Sequence, residues 1–236
     1  MRRRWWPAAA GALAAGVVAL VVVLTQGGGV PRPPAPAPPS RPGAVQLGAN
    51  TGRLFNGQPY PETRVLDELA ALRQTGATLA RSDTLWEITE PAPPTGGAHH
   101  YQWAFDDTIA DSLALEGLTW LPIVDYAPAW AGAQLATGHS PPTATDPYAA
   151  YAGALAARYG VGGEFWRSHP SLSARPVDTY EIWNEPDNSL FWSPAPSPPA
   201  YARLYLAARQ AIQAAQPGAR VIVGGLTQPA RFLPAL

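Results

Sequence analysis

The chain has no cysteine and no lysine. Without a thiol it cannot run cysteine catalysis, form disulfides or hold a thiolate-bound metal. Export stays open, because a domain with a large core does not need disulfides. Without a lysine amine, Schiff-base aldolase and pyridoxal chemistry are excluded, and so is the lysine-dependent phosphate loop. All 16 basic residues are arginine. Five of them (Arg2, Arg3, Arg4, Arg32, Arg41) precede residue 44, where there is no acid; the remainder carries 11 basic and 17 acidic residues, a net of about −6. A domain of that sign binds phosphate backbones poorly, so no nucleic-acid partner is expected. The four histidines, His99, His100, His139 and His169, fall in predicted loops without ligand spacing. No metal and no cofactor is therefore expected. A serine–histidine–aspartate site would need a nucleophile elbow, which the sequence lacks.

What is present begins with a membrane-directed N-terminus. Arg2, Arg3 and Arg4 precede an apolar run over 8–24, broken only by Gly11 and Gly16. Arginines on that side favour the cytoplasm, so the chain after the run is expected outside. No Ala-x-Ala-like cleavage site follows; Thr25-Gln26-Gly27-Gly28-Gly29 does. Residues 1–29 are thus expected as an uncleaved single-pass anchor on the extracellular face of the cell membrane. A cleaved signal and a secreted protein are the alternative. Residues 30–43 are a proline-rich spacer, extended at about 3.1 Å per residue and without apolar periodicity. Residues 44–236 form the domain.

In that domain apolar strand-like runs alternate with helical patterns. Strands are expected at 45–50, 77–82, 118–125, 178–183 and 220–225. Helices are expected between them. Val65, Leu69 and Leu72 share one face of a helix over 62–74, ended by Gly76. Ile109, Ala110 and Leu113 point inward from a helix over 107–116. Asp146-Pro147 opens a third, with Tyr148, Tyr151, Leu155 and Tyr159 as its buried stripe. Ser197-Pro198 opens a fourth, with Tyr201, Leu204, Ala208 and Ile212 at helical spacing. Such alternation implies an α/β fold, a parallel sheet with helices outside. A doubly wound nucleotide-binding fold would want Gly-x-Gly-x-x-Gly after its first strand. Gly48-Ala49-Asn50-Thr51-Gly52 does not supply it.

The most informative stretch is Tyr180-Glu181-Ile182-Trp183-Asn184-Glu185-Pro186. A β-rich run delivers an amide and a carboxyl side by side and is stopped at once by proline. The stretch resembles the acid/base motif at the end of strand 4 in the large (β/α)8 clan of glycoside hydrolases that contains cellulases, xylanases and β-xylosidases. That resemblance implies a TIM-type barrel and a retaining glycosidase acting on an extracellular poly- or oligosaccharide. Glu185 would give a proton to the glycosidic oxygen and later take one from water, while Asn184 holds the sugar's 2-hydroxyl. In the clan the nucleophile lies on strand 7. After the fifth expected strand only residues 226–236 remain, so the barrel is expected to be incomplete, truncated after about strand 5, with no nucleophile to assign here.

Other strand ends extend the resemblance, which spans about 45–236. Arg81 matches an arginine that the clan often carries at the end of strand 2, near the nucleophile; an ordinary ion pair with Asp83 is the structural alternative. Trp86, Glu90-Pro91, Gly96-Gly97, Tyr101, Trp103 and Asp106-Asp107 resemble a pattern in bacterial relatives of the β-xylosidase and α-iduronidase family. They are expected to close a long loop rather than to catalyse. Pro128-Ala129-Trp130 resembles the same families, so Trp130 is either a sugar-pocket wall or a core residue. Trp183 is read as buried or site-lining. Trp192, in a proline-rich loop, is expected as an exposed stacking platform. Glu181 is expected on the opposite side of the strand from the site. One rival reading is a surface carbohydrate-binding pseudo-enzyme that lacks the nucleophile. Another is a remnant that does not fold stably. A transglycosylase would share every residue named.

Overall fold

The computed structural model describes residues 46–56, 61–132 and 139–236. The expected anchor and spacer, and Val45 at the start of the first expected strand, lie outside the described residues. Among the described residues no helix is long and apolar enough to cross a membrane.

Five strands form one sheet: β1 (Gly48–Asn50), β2 (Leu79–Leu85), β3 (Thr119–Asp125), β4 (Thr179–Ile182) and β5 (Arg220–Val223). They pair in parallel in the order β1-β2-β3-β4-β5. A doubly wound sheet reverses its strand order at a switch point. This sheet has no reversal, so the nucleotide-binding alternative falls. Sequential parallel strands joined by helical crossovers are the wall of a (β/α)8 barrel.

The helices are α1 (Gly52–Phe55), α2 (Glu62–Gln74), α3 (Trp86–Thr89), α4 (Ala104–Leu115), α5 (Thr145–Tyr159), α6 (Glu164–Ser168), α7 (Pro198–Ala215) and α8 (Pro229–Phe232), followed by a 3-10 turn, Leu233–Ala235. The long ones form where the apolar residues recur every three or four positions. Helix α5 buries Tyr148, Tyr151, Leu155 and Tyr159; α7 buries Tyr201, Leu204, Ala208 and Ile212. The leucines and the isoleucine among them each contribute roughly 1.5–3 kcal/mol by leaving water. Gly153 on α5 faces Ala211 on α7, where a Cβ would stand at ordinary contact distance, 3.4 Å from the Ala211 Cβ. Helix α2 stops before Gly76, whose φ of +89° suits glycine and few other residues.

The sheet has two unlike faces. Along β2, Ala80, Ser82 and Thr84 are buried, while Leu79, Arg81, Asp83 and Leu85 are half-buried. The first set faces the helices. Its polar members are satisfied there: Trp120 Nε1 donates to Ser82 Oγ at 2.9 Å and the Tyr151 hydroxyl donates to Thr84 Oγ1 at 3.0 Å. Helix tyrosines also cap strand carbonyls, Tyr201 on Ile182 and Tyr205 on Val221, each at 2.9 Å. The second set looks the other way, toward what would be the barrel interior.

Candidate active site

Strand β4 leaves regular geometry just after Ile182. Trp183 has φ of +64° and Glu185 has φ of +43°. Non-glycine residues seldom take such values, and they cluster where function fixes the backbone. The turn has a visible effect on side-chain direction. Trp183 swings among the aromatic rings: it meets Tyr126 edge-on at 5.5 Å and Trp192 at 5.5 Å, and its Nε1 donates to the Phe191 carbonyl at 2.6 Å. Asn184 then lands on the interior face, beside Arg81.

Arg81 is the hub. Its Nε donates to Glu181 Oε2 and its Nη2 to Glu181 Oε1, both at 2.7 Å. Nη2 also donates to Asn184 Oδ1 at 3.1 Å. The Asn184 Nδ2 donates to the Tyr126 hydroxyl at 3.3 Å. Glu181 Oε1 further accepts the Gly225 N–H at 2.7 Å, which ties β4 to the end of β5. Burial opposes the Arg81 charge, but the Glu181 carboxylate more than offsets it and holds the guanidinium above its ordinary pKa. Breaking a nearly buried pair of this kind by removing one partner typically costs about 3–5 kcal/mol.

One expectation is corrected here, and one alternative falls. Glu181 does not lie across the strand from the site; it is the buried carboxylate that holds Arg81. Arg81 does not make its ion pair with Asp83. Asp83 instead accepts a short hydrogen bond from Asn56 Nδ2, and burial raises its pKa despite the nearby Arg81. Further in, Asp125 at the end of β3 is wholly buried, and neither oxygen has a hydrogen-bond partner among the described residues. Burial first, then the Asp83 charge, pushes its carboxyl well above the usual range and favours the neutral form.

Glu185 itself is half-buried. Its Oε2 accepts from Asn188 Nδ2 at 2.8 Å, and its carbonyl accepts the Asn188 N–H at 2.9 Å. The loop beyond is held by Asp187, which accepts from the N–H of Thr227 at 3.1 Å and from that of Gln228. An aromatic group stands nearby: the Tyr126 and His139 rings stack at 3.5 Å, with Phe191 parallel to His139 at 6.0 Å. Burial lowers the His139 pKa, which favours the neutral imidazole in the stack.

The tryptophans divide differently from expectation. Trp192 is not an exposed platform; only 3% of it is accessible, and it packs edge-on between Trp183 and Tyr201. Trp183 is fully buried rather than site-lining. Trp130 is half-buried, edge-on to Trp86 at 5.3 Å, with its Nε1 donating to the Glu90 carbonyl at 2.8 Å. The loop motif behaves as expected. Glu90 is buried and accepts from Trp86 Nε1 at 2.9 Å, and His99 Nδ1 lies 2.7 Å from its other oxygen. These contacts tie residues 86–103 to one another, and Trp86 fastens them to Tyr148 and Tyr151 of α5.

The sequence pattern singles out neither Tyr126 nor Asn188, and it puts Glu181 on the wrong face of the strand. Tyr126 directly follows the β3 end, and Asn188 stands one turn past Glu185; both positions were available signals. Among the described residues there is no cluster of three or more histidine or acidic side chains fit to hold a metal ion.

No family model matches the sequence, and no curated protein matches it. Solved structures do. A monomeric β-xylosidase from Caulobacter crescentus CB15 is similar at 19% identity and a TM-score of 0.54, over 75% of this chain and 35% of that one. An endoglucanase from the hyperthermophile Thermotoga maritima is similar at 15% identity and a TM-score of 0.54, over 80% of this chain and 54% of that one. An exo-β-1,4-mannosidase from Opitutaceae bacterium strain TAV5 is similar at 19% identity and a TM-score of 0.53, over 77% of this chain and 32% of that one. The chain thus spans between about a third and about half of each. At this identity the likeness establishes the fold: the described residues are part of a (β/α)8 barrel of the kind these glycoside hydrolases carry.

Proposed function

We propose that this domain is the acid/base-bearing part of a retaining glycoside hydrolase that acts on an extracellular poly- or oligosaccharide. The observation that carries the reading is the end of β4. Two residues with positive φ present a carboxyl, Glu185, and an amide, Asn184, side by side at the C-terminal end of a barrel strand. Catalytic groups of such barrels gather at that end. Glu185 protonates the leaving oxygen and then deprotonates the attacking water. Asn184, held by Arg81 and Tyr126, meets a ring hydroxyl. The similar structures named for xyloside, mannoside and glucan cleavage support a carbohydrate ligand and supply the probes. The charged N-terminus supports export. Mass spectrometry of the exported protein should find Met1 or Arg2 at its N-terminus; a start near residues 27–30 would replace the anchor with a cleaved signal.

One observation favours a second reading, a carbohydrate-binding domain without turnover of its own. Retaining chemistry needs a second carboxylate about 5–5.5 Å from the acid. Among the described residues, the acids of the interior face are otherwise engaged: Glu181 holds Arg81, Asp83 holds Asn56, and Asp125 is sealed from solvent. The two readings separate on aryl β-xyloside, aryl β-mannoside and cello-oligosaccharides. Hydrolysis at about 1–1,000 per second supports the enzyme. Saturable binding without hydrolysis supports the second reading. Neither binding nor hydrolysis of any probe would refute both.

A further inference from the structure

We propose that Glu181 is a positioning residue that sets, through Arg81, the direction in which the Asn184 amide meets a ligand. The proposal deepens the glycan reading, and its ligand arm rests on that reading. A guanidinium has five N–H donors and no acceptor. Its Nη2 lies 3.1 Å from the Asn184 side chain, so the atom facing it must be the amide oxygen. The amide nitrogen therefore faces the other way. One of its hydrogens goes to the Tyr126 hydroxyl at 3.3 Å, and no described residue takes the second. Asn184 is half-buried, so that second N–H is presented as a donor to an incoming hydroxyl oxygen.

What keeps the amide from turning over is Arg81, and what keeps Arg81 in place is Glu181. Two parallel hydrogen bonds of 2.7 Å fix the plane of the guanidinium. The Gly225 N–H at 2.7 Å fixes Glu181 in turn from the neighbouring strand. Glu181 is buried and meets an incoming ligand only through its neighbours. Its influence runs along a single line: carboxylate to guanidinium to amide oxygen, with the amide nitrogen as the outcome.

The test has a spectroscopic arm and a ligand arm. In ¹⁵N-labelled protein the Asn184 side-chain NH2 pair is assigned by its loss in Asn184→Asp, and Arg81 Nε–H by its loss in Arg81→Lys. In Glu181→Gln the Arg81 Nε–H signal should weaken by faster exchange with water, and the Asn184 pair should shift. Arg81→Lys keeps a positive charge for Glu181 but gives up the two-armed geometry. Because Arg81 itself bonds Asn184, this variant sets the size of shift to expect, and Glu181→Asp, whose shorter carboxylate cannot hold both arms, serves if Glu181→Gln fails to fold. Binding of cellohexaose should weaken roughly tenfold in whichever variant folds, the size of one oriented hydrogen bond. An Asn184 pair that stays in place in the Glu181 variant overturns the proposal, whatever Arg81→Lys does. So does a shifted pair with unchanged cellohexaose affinity. A wild-type protein that binds no cellohexaose, yet shows the amide shifts, defeats the glycan reading and leaves Glu181 as the residue that orients Asn184.

Discussion

Glu185 and Asn188 are joined twice, side chain to side chain at 2.8 Å and backbone to backbone at 2.9 Å. The second bond closes a tight turn directly after the strand, and the first fixes the carboxyl within it. A catalytic acid must be held near one geometry, and a misplacement of about 1 Å can cost on the order of 10²-fold in rate.

Asn188→Ala removes the side-chain bond and leaves the turn. In any form of the protein that turns substrate over, turnover should fall by about tenfold or more, while the unfolding midpoint in urea moves little, since one hydrogen bond to a half-buried group contributes about 1 kcal/mol. Comparison of kcat/KM with a urea melt separates the two effects. A large loss of stability with normal kcat/KM would make Asn188 a structural residue only.

Trp192→Ala should behave in the opposite way. The side chain is packed between Trp183 and Tyr201 and is almost wholly buried. Truncating a buried tryptophan leaves a cavity and costs about 3–5 kcal/mol. The urea midpoint should drop accordingly, and sugar affinity of the fraction that remains folded should be unchanged. Selective loss of sugar binding in a stable variant would restore the platform role.

These cases mark where the sequence was readable. Helix α2 begins and ends at the residues its apolar stripe and Gly76 suggest, because both signals are local. Strand β2 runs three residues past its expected end, through Asp83, Thr84 and Leu85. Its polar outer residues are stabilised by Trp120 and Tyr151, partners 38 and 67 positions away, which no local pattern reveals. Helices α1, α3, α6 and α8 are at most five residues long, too short to show periodicity. Glu181 was misplaced for a sharper reason. In a regular strand, positions 181 and 184 face opposite ways. The positive φ at Trp183 breaks that alternation, so Glu181 and Asn184 share one face. A single left-handed residue is invisible to a period-two argument, and it carried the whole assignment. The Asn184-Glu185 pair survived because motif and strand end are adjacent in sequence.

Asp106 gives a pH prediction for stability. It is fully buried in the first turn of α4, accepts from Thr89 Oγ1 at 2.7 Å, and has one oxygen without a partner among the described residues. Burial, partly opposed by that hydrogen bond, pushes its carboxyl from 3.8 to about 7. The folded state therefore holds a proton that the unfolded state releases. The resulting stabilisation is fully present below pH 3.8 and is lost as pH rises to about 7. Other carboxylates act on the total, so the clean readout is a difference. Asp106→Asn, which cannot titrate, should gain stability relative to the parent as pH rises from about 4 to about 7, by an amount on the order of a few kcal/mol. Parallel urea melts across that range measure it. A constant difference between the two proteins would show that Asp106 does not titrate there.

Glu185→Gln tests the central assignment in any form of the protein that turns substrate over. The amide keeps the shape of the side chain and can still bond Asn188, but it neither gives nor takes a proton. General acid–base catalysis contributes about 10²–10⁴-fold, so the rate on an unactivated glycoside should fall by at least about that much. An aryl glycoside with a very good leaving group needs little protonation; its first step should be spared while release of the sugar from the enzyme slows. Added azide should then restore turnover, since a strong anionic nucleophile needs no general base, and the product should be a glycosyl azide of retained configuration. Near-normal rates on the unactivated substrate would mean that the acid is another residue. Loss of the first step even on the activated substrate would point instead to a role for Glu185 in binding.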